Sequence, residues 1–192
     1  PLNNFAASRF RIGDVEGALE SFERALVNKQ RSYGDEHPDV AVTLSNLAVV
    51  HNRLDRMDEA VELHLRALDI REQSLGVDHI DVATSLHNLG NVYAKREQHD
   101  EAKRVHTRAL EIRRSHLRPL HPEVTESTSA LAADHRALGE FEAARDLYAE
   151  TLEGLRANMD EDDALVGTVL HRLGECAAAL GDQTMARQHF TE

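Results

Sequence analysis

Polar side chains that can bind a peptide backbone recur along this chain at a spacing of 42 residues. Asn46 and Asn88 form one such pair. An Asn amide has both a donor and an acceptor, so it can pair with the N–H and C=O groups of an extended segment whatever its sequence. Arg53 and Lys95 recur at the same spacing and would attract carboxylates. The pattern indicates a surface that holds a partner segment.

These residues belong to three columns, each taking one residue from every repeat. The first column reads Asn4, Asn46, Asn88, Ala130, Arg172. The second reads Arg11, Arg53, Lys95, Ala137, Ala179, and the third reads Asn3, Ser45, His87, Ser129, His171. With the neighbouring Asn91, they give our peptide-binding candidates: Asn46, Asn88, Asn91, Arg53, Lys95, His87 and Arg172. The alternative is a solvated helix surface copied by repeat duplication. Glu126 and Glu175 fall on the same side of the predicted first helices, where their negative charge would repel an acidic ligand toward the C-terminal end.

Metal chemistry is not indicated, although the chain has 12 His residues. His64 and His106 share a column with Phe22 and Tyr148, which predicts that they are packed rings. No His or Cys spacing matches a tetrahedral site. The acidic run at 160–163 lacks the alternating ligands, central Gly and terminal Glu of a calcium loop. We therefore predict no metal and no cofactor.

Catalysis is not indicated either. There is no Gly-rich phosphate loop and no arrangement of a nucleophile with His and Asp. Cys176 falls at a small-residue position on a predicted helix, which suggests inert packing. We predict a protein that is not an enzyme.

The net charge of −12 argues against nucleic acid and anionic membranes as partners. No apolar run approaches the ~18 residues that a membrane span needs. The single Cys is compatible with a reducing compartment, and we expect a cytoplasmic protein. The chain begins at Pro1 rather than Met and stops at Glu192 inside a predicted helix, so we expect a fragment of a longer protein.

The period of 42 residues defines the architecture. Between the copies that start at His37 and His79, 18 of 42 positions are identical. We predict one domain over 1–192, with repeats at 1–36 (partial), 37–78, 79–120, 121–162 and 163–192 (truncated). Apolar residues at three- and four-residue spacing predict two helices in each. The predicted pairs are 1–11 with 14–32, 38–53 with 56–75, 80–95 with 98–116, 122–137 with 140–157, and 163–179 with 182–192.

Some columns hold only small residues and others hold large apolar residues, and together they predict how the helices pack against one another. One column of small residues is Ala18, Ala60, Ala102, Ala144, Ala186, and another is Ala6, Ala48, Gly90, Ala132, Gly174. Large residues accompany them: Phe5, Leu47, Leu89, Leu131, Leu173. Gly13, Gly139 and Gly181 fall in the turns within pairs. Asp55 and Glu97 replace them in the middle copies, so those two turns need not adopt a conformation that only Gly accepts.

These columns resemble the tetratricopeptide repeat (TPR), whose usual period is 34 residues. The longer unit, with HPDVAVTLSNLAVV followed by DEAVELHLRALDIREQSLG, is similar to the repeats of kinesin light chains. The resemblance covers essentially the whole chain. It implies an all-α, right-handed superhelix of about five helix pairs, with the first helix of each pair lining a concave groove.

The resemblance also implies a function. In kinesin light chains the positions that match Asn46, Asn88, Lys95 and Arg53 hold acidic cargo peptides with an aromatic or Leu anchor. The carboxylate clamp of other TPR proteins fits poorly, because Ala130 and Thr168 stand where Asn and Lys are needed. We expect an interaction module or adaptor that binds a partner peptide in the groove. The alternatives are a sensor or regulatory domain of a larger enzyme or ATPase, and a spacer that self-associates through its repeat ends.

Overall fold

The computed structural model describes residues 2–158 and 163–191. Within these ranges it has ten α-helices and no β-strand. The helices are α1 (Leu2–Arg11), α2 (Val15–Tyr33), α3 (Pro38–Arg53), α4 (Met57–Leu75), α5 (Ile80–Lys95), α6 (His99–His116), α7 (Pro122–Ala137), α8 (Phe141–Asn158), α9 (Ala164–Ala179) and α10 (Gln183–Thr191). Every predicted helix is confirmed, and the described ends agree with the predicted ends to within one residue.

The chain divides into two compact units, unit 1 (Pro1–Arg96) and unit 2 (Glu97–Glu192). In unit 1 each helix from α1 to α5 packs against the next one in the chain. In unit 2 the same holds from α6 to α10. Each unit is thus a run of five helices in which successive helices pack against one another. The expectation of a single domain over 1–192 stays a prediction.

A side-chain cap begins the first helix in four of the pairs. Nδ1 of His37, His79 and His121 accepts a hydrogen bond from the backbone N–H two residues later, at 3.1, 3.1 and 3.3 Å. In the last pair Oδ1 of Asp163 does the same for Leu165 at 2.8 Å. Each cap satisfies a donor that the first helical turn leaves open. Asp163 ends the acidic run, and the rest of that run, 160–162, lies outside the described residues.

The predicted packing columns are confirmed in the core. Every Ala in the column from Ala18 to Ala186 is buried, as are the small residues from Ala6 to Gly174. Leu47, Leu89 and Leu131 are buried beside them. Phe5 is an exception, with 57% of its surface exposed on α1. The prediction that Phe5 fills the core is therefore wrong.

Two of the turns lack Gly and still share the conformation of the other turns. Asp55 and Glu97 both adopt the left-handed conformation, with φ of 63° and 61°. Gly13, Gly139 and Gly181 have φ between 76° and 87° at the equivalent positions. The turn geometry is thus kept whatever residue occupies it, because the same helices must be joined. An L-residue adopts this conformation at an energetic cost that Gly avoids.

No helix among the described residues is both long and apolar enough to cross a membrane.

Candidate functional site

The candidate residues of unit 1 lie on the exposed side of two first helices. On α3 the residues Val42, Asn46, Val49 and Arg53 follow one another at spacings of four, three and four, which places them on one side of the helix. On α5 the matching residues are Asn88, Asn91 and Lys95. We call these seven residues the first-helix face of unit 1. Five of the seven are candidates that the sequence predicted.

The amides of this face are open to a ligand. Asn46 and Asn88 are half-buried, and Asn91 is exposed. Among the residues that the structure describes, none of the three side chains makes a hydrogen bond. An amide in this state can exchange water for a ligand's backbone groups without breaking a contact inside the protein.

Lys95 joins the ends of α3 and α5. Its Nζ donates to the backbone oxygen of Asn52 at 3.1 Å and to Oδ1 of the same residue at 3.2 Å. It also lies 3.3 Å from Oδ1 of Asp55. A cation beside the last carbonyls of α3 is favourable in the field of that helix. A ligand carboxylate would therefore have to share Lys95 with Asp55.

Arg53 differs from Lys95, because its exposed side chain has no ion-pair partner within the described part of the chain. Two valines flank Asn46 on the same helix. Val42 and Val49 are 41% and 40% exposed. The face therefore offers two apolar side chains among its amides, with cationic groups at the ends of both helices.

The third polar column does not lie wholly on the solvent-facing side of its helices, as its members Ser45 and His87 show. Both are buried, and His87 is only 5% exposed. Asn3, in the same column, donates from Nδ2 to Oγ1 of the buried Thr43 at 3.0 Å. These positions face neighbouring helices rather than solvent. His87 is therefore left out of the proposed binding surface.

Arg172, the remaining candidate, lies in unit 2 on α9. Its Nη1 donates to Oε2 of Glu175 at 2.9 Å, and Nη1 of Arg136 on α7 lies 3.5 Å from the same oxygen. Nε2 of His171 lies 3.5 Å from Oε1. The pKa of Glu175 is lowered, chiefly because Arg172 donates a hydrogen bond to it. Glu175 thus has three basic side chains around it.

The packed histidines are confirmed, since His64 and His106 are both 1% exposed. Burial, with a smaller contribution from the nearby Arg71, lowers the pKa of His64 to about 4. Cys176 is buried as predicted, and burial raises the pKa of its thiol. In the described ranges, no group of three or more His, Cys, Asp or Glu side chains is arranged to hold a metal ion.

Sequence reasoning missed two kinds of polar contact between helices. One pairs His106 with Asp134 in unit 2. The signal for it was Asp134 itself, the one acidic residue in a column that also holds Ser8, Val50, Val92 and Cys176. The other contact is a basic residue at the end of the second helix that bonds to the next first helix.

This second contact recurs every 42 residues. Lys29 donates to the backbone oxygen of Asp39 at 2.9 Å, and Arg113 donates to that of Glu123 at the same distance. Arg71 does so to Asp81 at 3.5 Å. Each cation therefore ties a second helix to the first turn of the helix that follows.

The Tetratricopeptide repeat family matches the sequence over residues 1–54, 39–115 and 123–192. The chain therefore belongs to that family, and its helix pairs are tetratricopeptide repeats. No curated protein matches the sequence.

Solved structures with similar folds include kinesin-light-chain-type proteins. One is a chain from Podosopora anserina, described as a kinesin light chain with nearly identical TPR-like repeats. It has 23% identity, a TM-score of 0.85 and coverage of 99% of this chain and 90% of that one. Another is BtubC (BKLC) from P. vanneervenii, with 23% identity, coverage of 99% and 76%, and a TM-score of 0.86. The apo form of RapI has 14% identity, coverage of 99% and 66%, and a TM-score of 0.85. At these identities the likeness is one of fold.

Proposed function

We propose that this protein is a cytoplasmic, non-enzymatic adaptor that binds a short extended segment of a partner protein on the first-helix face of unit 1. One observation carries the proposal. Asn46, Asn88 and Asn91 present amides without hydrogen-bond partners, among the residues that the structure describes, at matching positions of α3 and α5. Two helices that display the same amide at the same register can hold the backbone of one extended chain.

The rest of the face supports an amphipathic segment. Val42 and Val49 flank Asn46 and can contact an apolar side chain of the ligand. Arg53 is exposed and would attract a carboxylate, while Lys95 is shared with Asp55. The resemblance to kinesin light chains supports the same ligand chemistry, an acidic segment with an aromatic or Leu anchor. Affinity is expected to be micromolar, about −8 kcal/mol, and to fall as salt screens the cations.

The experiment that tests this proposal is a selection of peptides from a random display library on the purified protein. The dissociation constant of the strongest binder is then measured for Asn46→Ala/Asn88→Ala and for a matched control. The control, Asn28→Ala/Gln73→Ala, removes two exposed amides from the second helices α2 and α4 of the same unit.

Loss of two ligand hydrogen bonds should weaken binding by about tenfold or more, because each contributes roughly 0.5–1.5 kcal/mol. The control should stay within about twofold of the wild type. Equal binding by all three proteins would contradict the proposal, provided that their circular dichroism spectra and melting temperatures agree.

A further inference from the structure

The group of Arg136, Arg172 and Glu175 in unit 2 has more positive than negative charge. Two guanidinium groups, on α7 and α9, share one carboxylate oxygen at 3.5 and 2.9 Å. Burial raises the pKa of the Tyr148 hydroxyl, and Arg136 lies close enough to that hydroxyl to offset part of the rise. Its Nε is buried and has no acceptor among the described residues. The two guanidinium groups can therefore bind more than the single carboxylate that Glu175 provides.

The packing of the repeats does not require this group. Two periods earlier, in unit 1, the position of Arg172 is held by Asn88 and that of Glu175 by Asn91. The position of Arg136 is held by Asn52. Unit 1 thus forms its helix pairs without any of the three charges. The ion pairs of unit 2 are an addition to the common repeat.

Solvent reaches all three side chains. The exposed fractions are 32% for Arg136, 37% for Arg172 and 36% for Glu175. A half-exposed ion pair is worth little to stability, since water competes for both partners. An incoming carboxylate can therefore replace Glu175 at small cost. Two arginines suit such a ligand, because a guanidinium binds a carboxylate with parallel hydrogen bonds.

We propose that Arg136 and Arg172 form a binding site for an acidic side chain of a partner segment, and that Glu175 occupies this site until the partner's carboxylate displaces it. The site rests on the proposed function only in that the carboxylate belongs to a bound partner. Glu175 then acts as an internal competitor that sets the affinity for acidic ligands. Glu175 keeps weakly binding anions out of the site, and it is displaced by a partner segment that other residues of the protein also bind.

The test uses small probes, so it does not need the natural partner. N-acetylglutamate α-amide carries the side-chain carboxylate, N-acetylglycine carries a main-chain carboxylate, and N-acetylglutamine α-amide is the neutral control. The Nε–Hε signals of arginine are followed by NMR in the full chain at low ionic strength. The proteins are the wild type, Glu175→Gln and, as a matched control, Glu150→Gln. Glu150 makes two 2.6 Å hydrogen bonds with Arg114 on the second helices of the same unit.

Removing the competitor should tighten binding of the glutamate probe about tenfold, with shifts at Arg136 and Arg172. Adding Arg172→Gln to Glu175→Gln should abolish those shifts, and Glu150→Gln should bind at this site as the wild type does. Affinities within twofold for wild type and Glu175→Gln would overturn the proposal. Equal shifts with the glutamine probe would also do so. Tighter binding of N-acetylglycine would overturn the assignment to a side chain.

A negative result here leaves the first-helix face of unit 1 untouched, because the test of that face changes only residues of unit 1.

Discussion

Nδ1 of His106 lies 2.6 Å from Oδ2 of Asp134, and both side chains are buried inside unit 2. The pair replaces an aromatic and an aliphatic residue in the same columns of unit 1, Phe22 and Val50. Removing one partner of a buried polar pair leaves the other without compensation. We predict that Asp134→Val destabilises the protein by about 3 kcal/mol in urea unfolding.

The double variant His106→Phe/Asp134→Val is the control for this pair. It restores in unit 2 the residues that the same columns hold in unit 1. Its free energy of unfolding should lie within about 1 kcal/mol of the wild-type value, or above it, since a buried pair of this kind can often be replaced by apolar residues. A double variant as unstable as Asp134→Val alone would show that the pair is not the source of the loss.

Arg113 gives a second prediction of the same kind. Its Nη1 donates to the backbone oxygen of Glu123 at 2.9 Å and to Oγ of Ser127 at 2.7 Å. One period later the two side-chain positions hold Leu155 and Val169, which are both buried. Arg113→Leu should cost about 2–3 kcal/mol in the free energy of unfolding, because it leaves buried acceptors unpaired.

Arg113→Leu/Ser127→Val should recover about half of that loss, since it removes one of the two acceptors and reproduces a pair found in the chain itself. Losses that are equal in the single and the double variant would contradict this explanation.

His64 predicts a dependence of stability on pH. Its pKa is lowered from 6.5 to about 4 in the folded protein, mainly by burial and also by Arg71. Between these values the unfolded chain binds a proton that the folded chain does not, so stability falls as the pH falls. His64 should therefore lower the free energy of unfolding by about 2 kcal/mol at pH 5 relative to pH 7.

The variant His64→Phe tests this, because Phe22 occupies the same column. The free energy of unfolding is measured for both proteins at pH 7 and pH 5. On going from pH 7 to pH 5, the free energy of unfolding of the wild type should fall by about 2 kcal/mol relative to that of the variant. A constant difference at both pH values would show that His64 is not responsible.

Glu97 predicts a stabilising substitution. Its φ of 61° is unfavourable for an L-residue, while Gly139 holds the equivalent turn one period later with φ of 76°. Glu97→Gly should therefore raise the free energy of unfolding by about 0.5–1 kcal/mol, after the extra freedom of Gly in the unfolded chain is counted. The control Glu111→Gly, at an exposed position within α6, should lower it by about 1 kcal/mol. Destabilisation by both variants would contradict the argument.

The sequence predicted the helices well because five copies of one period constrain the same boundaries. The His caps at His37, His79 and His121 lie where the repeat places a helix start. The absence of Gly at Asp55 and Glu97 left the conformation of those two turns open, and the geometry that all copies share determines it. A repeated turn predicts a repeated conformation even where Gly is absent.

The site was harder to predict, because a column shows which residues recur and not what each side chain touches. Asn46 and Asn88 recur and are available to a ligand. Ser45 and His87 recur beside them and are buried. One step along a helix turns a side chain by about 100°, so neighbouring columns at the edge of the apolar stripe cannot be told apart by polarity alone. Departures from a column, such as Asp134, were the better signals for specific contacts.

The most direct test of the proposed function is the position of a bound peptide. Valine methyl groups labelled with ¹³C are observed by NMR while the strongest selected peptide is added. Val42 and Val49 lie on the first-helix face of unit 1, and Val27, 45% exposed on α2, is the internal control. Binding on the first-helix face should give large shifts at Val42 and Val49 and leave Val27 unchanged. Shifts at Val27 with Val42 and Val49 unchanged would place the partner on the second helices and contradict it.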